Sequence, residues 1–124
     1  MTKRILLLGV MATVLDAVRQ QLQVPDVELL AGTGMDDVRS AFAHADIDHV
    51  IVGGGIDLET RLEIVREVFQ SSDRATVHLK DHLSGPEGFL PFVRSVLVGL
   101  KDYEPQESPR AVLRARRPGP STDG

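Results

Sequence analysis

Four times along the chain, a short apolar run is followed by a segment whose apolar residues recur every three or four positions. The four runs are RILLLGV (4–10), VELLAG (27–32), HVIVGG (49–54) and ATVHLK (75–80). Runs this apolar are typical of strands covered on both faces, and the segments after them are typical of amphipathic helices. The alternation therefore predicts an α/β fold, in which a four-stranded parallel sheet lies between two layers of helices.

The spacing of apolar residues also assigns each predicted helix a face that packs on the sheet. These faces are Val14, Leu15, Val18 and Leu22; then Val38, Ala41, Phe42 and Ala45; then Leu58, Leu62, Val65 and Phe69; and last Phe89, Val93, Val96, Leu97 and Leu100. Thr13, Thr33 and Asp57 are predicted as N-caps of the first three helices. Strand order stays open between 2-1-3-4 and 3-2-1-4.

Length and composition predict one domain and a tail. The chain has 124 residues, enough for a single core. We assign residues 1–101 to a single α/β domain. We predict a flexible, disordered tail for residues 102–124, which contain four prolines and show no sustained periodicity. The basic stretch RAVLRARR (110–117) could dock on a partner, but a solvated tail is favoured.

Composition excludes several classes of protein. There is no cysteine, which excludes disulfides, thiolate metal sites and cysteine nucleophiles. The formal net charge of -4 gives no general attraction to nucleic acid. No apolar run approaches the roughly 18 to 20 residues of a membrane span. We therefore expect a cytoplasmic protein that neither binds nucleic acid nor spans a membrane.

Small and polar residues follow the strands at the edge where parallel sheets usually bind ligands. We predict a ligand site from the following residues: Gly9, Thr13, Gly53, Gly54, Gly55, Asp57, Lys80 and His82. The three consecutive glycines have two interpretations. They could bring backbone amides close to a phosphate, or they could only allow close strand–helix approach and a positive φ. Asp57 would oppose a phosphate at the start of the third helix.

Motifs for specific chemistry are missing from these loops. After the first strand the chain has GVMATV, which lacks the glycines of G-x-G-x-x-G, and no Walker G-x-x-x-x-G-K-[ST] occurs. His78 and His82 are four residues apart, but His78 lies in a predicted strand, so the spacing does not indicate a metal site. We therefore predict no metal and no catalytic residue, and the cofactor is unknown.

The layout of residues 4–101 resembles the receiver domains of two-component signalling. Receivers carry acidic residues after the first strand, a phosphorylated Asp after the third and a Lys after the last. Here Gly9, Val10 and Met11 occupy the first place, Gly53–Gly55 occupy the second, and Lys80 matches the lysine. The resemblance thus implies a degenerate pseudo-receiver or flavodoxin-like fold without a phosphoryl acceptor. The order of a strand, three glycines and a helix also resembles that in small single-domain Rossmann-like bacterial proteins.

The last helix is apolar on more than one face, which predicts that something besides the sheet covers it. We predict a homodimer interface formed by Phe89, Leu90, Phe92, Val96, Leu97 and Leu100. Burial at the sheet edge by neighbours and the tail is the alternative. The functional hypothesis is a non-catalytic, self-associating module with a regulatory or small-ligand-binding role. The alternative hypothesis is a small nucleotide- or dinucleotide-binding protein or enzyme that uses the loops after strands one and three.

Overall fold

The computed structural model describes residues 2–102, which form four strands and four helices in strict alternation. In chain order these are β1 (Lys3–Leu8), α1 (Ala12–Gln21), β2 (Val27–Gly32), α2 (Met35–His44), β3 (His49–Val52), α3 (Leu58–Ser71), β4 (Thr76–Leu79) and α4 (Phe89–Asp102). A short 3₁₀ turn, Pro86–Gly88, leads directly into α4. The predicted tail lies outside the described residues, apart from Asp102 at the end of α4.

The sheet is parallel throughout and has the order β2-β1-β3-β4. This confirms the predicted fold class and selects the first of the two strand orders. Ile5 pairs with Leu29 on one side of β1 and with His49 on the other. Because the chain reverses its direction of winding at β1, the loops after β1 and β3 diverge there and leave a crevice at the carboxyl ends of the strands.

Two hydrophobic cores lie on opposite faces of the sheet, as the three-layer prediction requires. On one face, Ile5, Leu7 and Ile51 pack against α1 and α4. On the other face, Leu6 and Leu8 pack with residues of β3, α2 and α3. Consecutive residues of β1 therefore serve different cores, which is why this strand is apolar without alternation.

The predicted sheet-facing sides of α1 and α2 are confirmed. Leu15, Val18 and Leu22 are buried beneath α1, and Val38 is fully buried beneath α2. The predicted side of α3 is wrong. Its buried residues are Ile64 and Val68. The predicted stripe is instead turned outward, with Leu58, Leu62 and Phe69 exposed and Val65 half-buried.

Helix α4 is covered largely within its own subunit. Phe89, Val93 and Leu97 are buried in the core shared with α1, and Leu90, Phe92, Val96 and Leu100 pack against that core while half-buried. Two of the six predicted interface residues, Phe89 and Leu97, are thus core residues. The sheet and α1 together cover more than one side of this helix, so its breadth of apolar surface does not require a partner. Homodimerisation itself stays a prediction.

The predicted N-cap is confirmed for α3 and is wrong for α1 and α2. Asp57 is the N-cap of α3, although its side chain makes no capping hydrogen bond. Helix α1 begins one residue before Thr13, with Met11 as its N-cap, and Gly34 rather than Thr33 caps α2. At α2 the side chain that makes a hydrogen bond lies within the helix and its backbone partner lies before it. Asp37 Oδ2 accepts from the backbone N–H of Thr33 at 2.7 Å.

Within residues 2–102, no helix combines the length and the apolar character needed to cross a lipid bilayer.

Candidate functional site: a pocket at the carboxyl ends of the strands

A cavity of about 110 Å³ lies in the crevice between the loops that follow β1, β3 and β4. Its lining is mostly apolar: Gly9, Val10, Met11, Val14, Leu15, Gly53, Gly54, Gly55, Gly85, Pro86 and Phe89, with Lys80 and His82 as the polar members. Among the described residues, no carboxylate or hydroxyl side chain lines it. We call this cavity the strand-end pocket.

Gly54 is needed for the close approach of two loops. A Cβ atom at this position would collide with the carbonyl oxygen of Asp81 and lie 3.0 Å from the Cα of His82. Gly53, Gly54 and Gly55 do not adopt a positive φ, since Gly85 is the one glycine of the described residues that does. The structure therefore supports the interpretation that the glycines allow close approach of the two loops. A larger side chain at position 54 would disturb this packing whether or not a ligand binds there.

Lys80 is the one charged residue of the described chain that is buried, with 2% of its surface exposed. It follows β4 directly, and its backbone N–H donates to the carbonyl of Val52 on the neighbouring strand. Its ammonium Nζ donates to the carbonyl of Asp81 at 3.0 Å and forms no ion pair with a carboxylate of the described residues. A buried ammonium has three protons to donate, so the described residues compensate this charge only in part.

The Arg61 side chain ties the two loops beneath the pocket together. Its Nε donates to the carbonyl of Ile56 at 2.9 Å, and its Nη1 donates to the carbonyl of Lys80 at 2.8 Å. A guanidinium is suited to this arrangement because its planar fork presents several donors in fixed directions. Arg61 thus holds the backbone of Lys80 against the first turn of α3, and sequence analysis missed it.

His82 provides a second tie between the same loops. Its Nδ1 lies 2.9 Å from the carbonyl oxygen of Gly54. Because a carbonyl oxygen only accepts hydrogen bonds, the proton of this bond is on Nδ1. The imidazole therefore positions the glycine loop, and His82 is part of the pocket lining.

The Asp81 carboxylate is occupied by its own loop. It accepts the backbone N–H of Ser84 at 2.8 Å and the Ser84 hydroxyl at 3.0 Å. These two hydrogen bonds, with a smaller contribution from the Lys80 charge, lower the pKa of Asp81 below its ordinary value. Both oxygens stabilise the turn before Pro86, so Asp81 is a poor candidate for a catalytic base.

The pocket also borders the first turn of α1, through Met11 and Val14. No acidic residue occupies that turn, and no side chain caps it. The exposed amide groups of a helix start carry a partial positive charge, which favours an anion nearby. The start of α1 and Lys80 thus both bring positive charge to the lining of a mostly apolar cavity.

Six of the eight predicted ligand residues meet at this pocket: Gly9, Gly53, Gly54, Gly55, Lys80 and His82. Thr13 and Asp57 do not line it, and Asp57 instead borders a separate depression together with Thr33. One of the two interpretations of the glycines was a phosphate at the start of α3, where Asp57 would oppose it. The structure places the pocket at the start of α1, where that objection does not apply. The apolar wall formed by Met11 and Phe89 was missed, because an apolar residue beside a strand gives no signal of pocket lining.

A second polar cluster lies at the opposite end of the strands, on the α4 face. The hydroxyl Oγ1 of Thr76 lies 2.6 Å from His49 Nδ1 and 2.9 Å from His78 Nε2. The two imidazole centroids are 5.9 Å apart, and His49 Nε2 is buried with no hydrogen-bond partner. Burial is the largest cause that lowers the pKa of His49, followed by the Lys3 charge, and burial also lowers the pKa of His78. Both rings are thus favoured in the neutral form.

Comparison with known proteins found no family model, no curated protein and no solved structure that matches this chain. A functional assignment must therefore come from the site itself.

Proposed function

We propose that the protein is a non-catalytic α/β module that binds a small ligand in the strand-end pocket and has a regulatory role. The ligand class is a short molecule with an anionic group and an apolar body. The observation that carries the proposal is the buried Lys80, which lines a mostly apolar cavity and whose ammonium has one backbone carbonyl as its partner among the described residues. Bringing an anion to this charge would offset the cost of burying it.

The size of the cavity supports a small ligand. Its volume of about 110 Å³ is comparable to the ~150 Å³ apolar cavity known to admit benzene, and well below the ~300–1,000 Å³ of pockets for drug-sized ligands. A nucleotide would place most of its atoms outside. The nucleotide-binding alternative stays a prediction, and no feature of the pocket favours it.

The polar groups support binding rather than catalysis. General acid–base chemistry needs a titratable group in contact with the reacting atoms, usually with a partner that orients it. Neither carboxylate considered from the sequence fills that role, because Asp57 lies elsewhere and Asp81 is held by Ser84. His82 is oriented by the carbonyl of Gly54, but the pocket lining offers it no carboxylate or hydroxyl side chain of the described residues to work with.

A thermal-unfolding screen tests the proposal with small anions of increasing size and with two analogues that match one of them in size but not in charge. The series is inorganic phosphate, acetate, butyrate and benzoate, with butanol and butylamine as the neutral and cationic analogues of butyrate. A fitting anion present at 100 times its dissociation constant is expected to raise the free energy of unfolding by about 2.7 kcal/mol.

Lys80→Met is the decisive variant, because it removes the charge and keeps much of the apolar stem. Lys3→Met, at an exposed lysine, is the control. We expect Lys80→Met to abolish the stabilisation by anions and Lys3→Met to retain it. Equal stabilisation by butanol and butyrate, or an unchanged anion response in Lys80→Met, would contradict the proposal.

A further inference from the structure

Helix α3 presents a continuous apolar stripe to the surface of the subunit. Leu58, Leu62 and Phe69 are 66%, 54% and 58% exposed, and Val65 between them is half-buried. We call these four residues the α3 stripe. Large apolar side chains exposed singly are common, but a contiguous row on one helix is typical of an interaction surface.

The stripe lies toward the free edge of the sheet. Helix α2 packs against one side of α3, where Arg39 Nε pairs with Glu67 at 3.5 Å. At about 100° per residue, the stripe is on the opposite side of the helix from Glu67, roughly a quarter turn from the buried Ile64 and Val68. That side faces away from α2 and therefore toward β4, the last strand of the sheet.

Within residues 2–102, no strand pairs with the outer edge of β4, which lies beside the stripe. The backbone N–H groups of Thr76 and Lys80 donate to the strand-β3 side. Since successive residues of a strand point their amides to alternate sides, those of Val77 and Leu79 point away from the sheet. The Leu79 side chain, 45% exposed, shares the α3 face because its ladder neighbour Val52 belongs to the core beneath α3. Such an edge, without Lys or Pro to protect it, is open to pairing with another strand.

Charges bordering the stripe indicate what covers it. Glu59 and Arg66 lie on the same flank of the stripe, seven residues or about two turns apart, and both are exposed. Neither forms an ion pair among the described residues. A two-fold axis between Leu62 and Val65 would set a second α3 antiparallel to the first. Glu59 would then lie within about two residues, roughly 3 Å along the helix axis, of the partner subunit's Arg66, an offset that these long side chains can span, and Arg66 would lie equally near the partner subunit's Glu59.

The apolar residues are self-complementary about the same axis. Leu58 would lie opposite the partner subunit's Phe69, and Leu62 opposite the partner subunit's Val65. An axis perpendicular to the sheet also sets the two β4 edges antiparallel, which is the orientation that strand pairing between identical subunits requires. A single two-fold axis would thus cover the stripe, bring the opposite charges near each other and align the two free edges.

We propose that a second copy of this chain covers the α3 stripe and the β4 edge, forming a homodimer in which the two α3 helices are antiparallel. This surface replaces the α4 interface expected from the sequence. The inference goes beyond ligand binding and does not depend on it, because the strand-end pocket is built from other residues.

Analytical ultracentrifugation of the full chain over a wide concentration range tests the proposal. We expect reversible dimerisation at micromolar concentration and its loss in Leu62→Glu. Val98→Glu is the matched control, since Val98 is 52% exposed on α4 and its variant should dimerise normally. Circular dichroism and thermal unfolding establish that each variant is folded, which is expected because both positions are largely exposed.

Charge reversal tests the antiparallel arrangement itself. Glu59→Arg alone and Arg66→Glu alone each create two like-charge pairs across the axis, so we expect each to weaken dimerisation by about tenfold. The double variant Glu59→Arg/Arg66→Glu re-forms both pairs in reverse and should restore the original affinity. A wild-type protein that stays monomeric at several hundred micromolar, loss of dimer in Val98→Glu but not in Leu62→Glu, or a double variant weaker than both singles would overturn the proposal.

Discussion

Helices α3 and α4 each span 14 residues and lie on opposite faces of the same sheet, yet they treat their apolar side chains differently. Helix α4 is the more apolar helix and has most of its apolar surface covered by the sheet and α1. Helix α3 buries Ile64 and Val68 and leaves Leu58, Leu62 and Phe69 largely exposed. The exposed apolar surface of this protein is therefore not where the sequence is most apolar.

The rotation of α3 about its axis has an identifiable cause. Arg61 donates to the carbonyls of Ile56 and Lys80 at the carboxyl end of the sheet, which turns the row of Arg61, Ile64 and Val68 inward. The Arg39–Glu67 pair on the α2 side fixes the same orientation. These polar contacts thus hold the row of Arg61, Ile64 and Val68 toward the sheet, while the larger apolar row lies outside.

The largest effect should come from the core side of α4. Phe89→Ala removes a ring that is 3% exposed and leaves a cavity, so we expect the free energy of unfolding to fall by about 3–5 kcal/mol. Val98→Ala, on the exposed side of the same helix, should change it by less than about 0.5 kcal/mol. Urea denaturation of both variants measures the difference. Similar losses in the two would show that α4 is not packed as described.

Within α3, a comparison of a buried and an exposed residue should contradict the packing face predicted from the sequence. Ile64→Ala, at a residue 1% exposed, is expected to lower the free energy of unfolding by about 2–5 kcal/mol. Leu58→Ala, from the α3 stripe, should lower it by less than about 0.5 kcal/mol in dilute protein. Urea titration provides the measurement. A larger loss of unfolding free energy for Leu58→Ala than for Ile64→Ala would show that the stripe packs in the core.

The polar tie that orients α3 predicts a smaller loss. Arg61→Ala leaves two backbone carbonyls without their donors, so we expect about 1–3 kcal/mol of destabilisation, as well as weaker anion binding at the strand-end pocket. Arg94→Ala provides the control, because Arg94 is exposed on α4 and makes no ion pair among the described residues. An Arg61→Ala protein with unchanged urea midpoint would remove our explanation for the rotation of α3.

The smallest effect concerns pH and the α4 face. The pKa values of His49 and His78 are lowered by burial from the ordinary 6.5. The folded protein then binds fewer protons than the unfolded chain, so stability is lost as pH falls from about 6.5 toward the lower folded pKa values. We expect a lower urea midpoint at pH 5.5 than at pH 7.5. The double variant His49→Gln/His78→Gln should reduce this difference, whereas His44→Gln, at an exposed histidine, should leave it unchanged.

Much of the site followed from topology that the sequence makes evident. Parallel strands end at one edge, so Gly9, Gly53 and Lys80 had to approach each other once four strand–helix units were recognised. The ties that shape the pocket were not evident. Arg61 lies on the row of Ile64 and Val68, and a charged residue on an apolar helix row was the one available signal of its role.

The sequence by itself determined the four strand–helix units, the parallel sheet and the grouping of small and polar residues at the strand ends, because these follow from local periodicity and from the handedness of crossovers. The tertiary structure decided which row of α3 faces the core, how much of α4 is covered, and that Lys80 is buried at the strand-end pocket while Asp57 lies outside it. Those outcomes depend on contacts between residues far apart in the chain, such as Arg61 with the carbonyl of Lys80. The spacing of apolar residues shows how hydrophobic each row of a helix is, but hydrogen bonds and neighbouring helices determine the direction in which that row points.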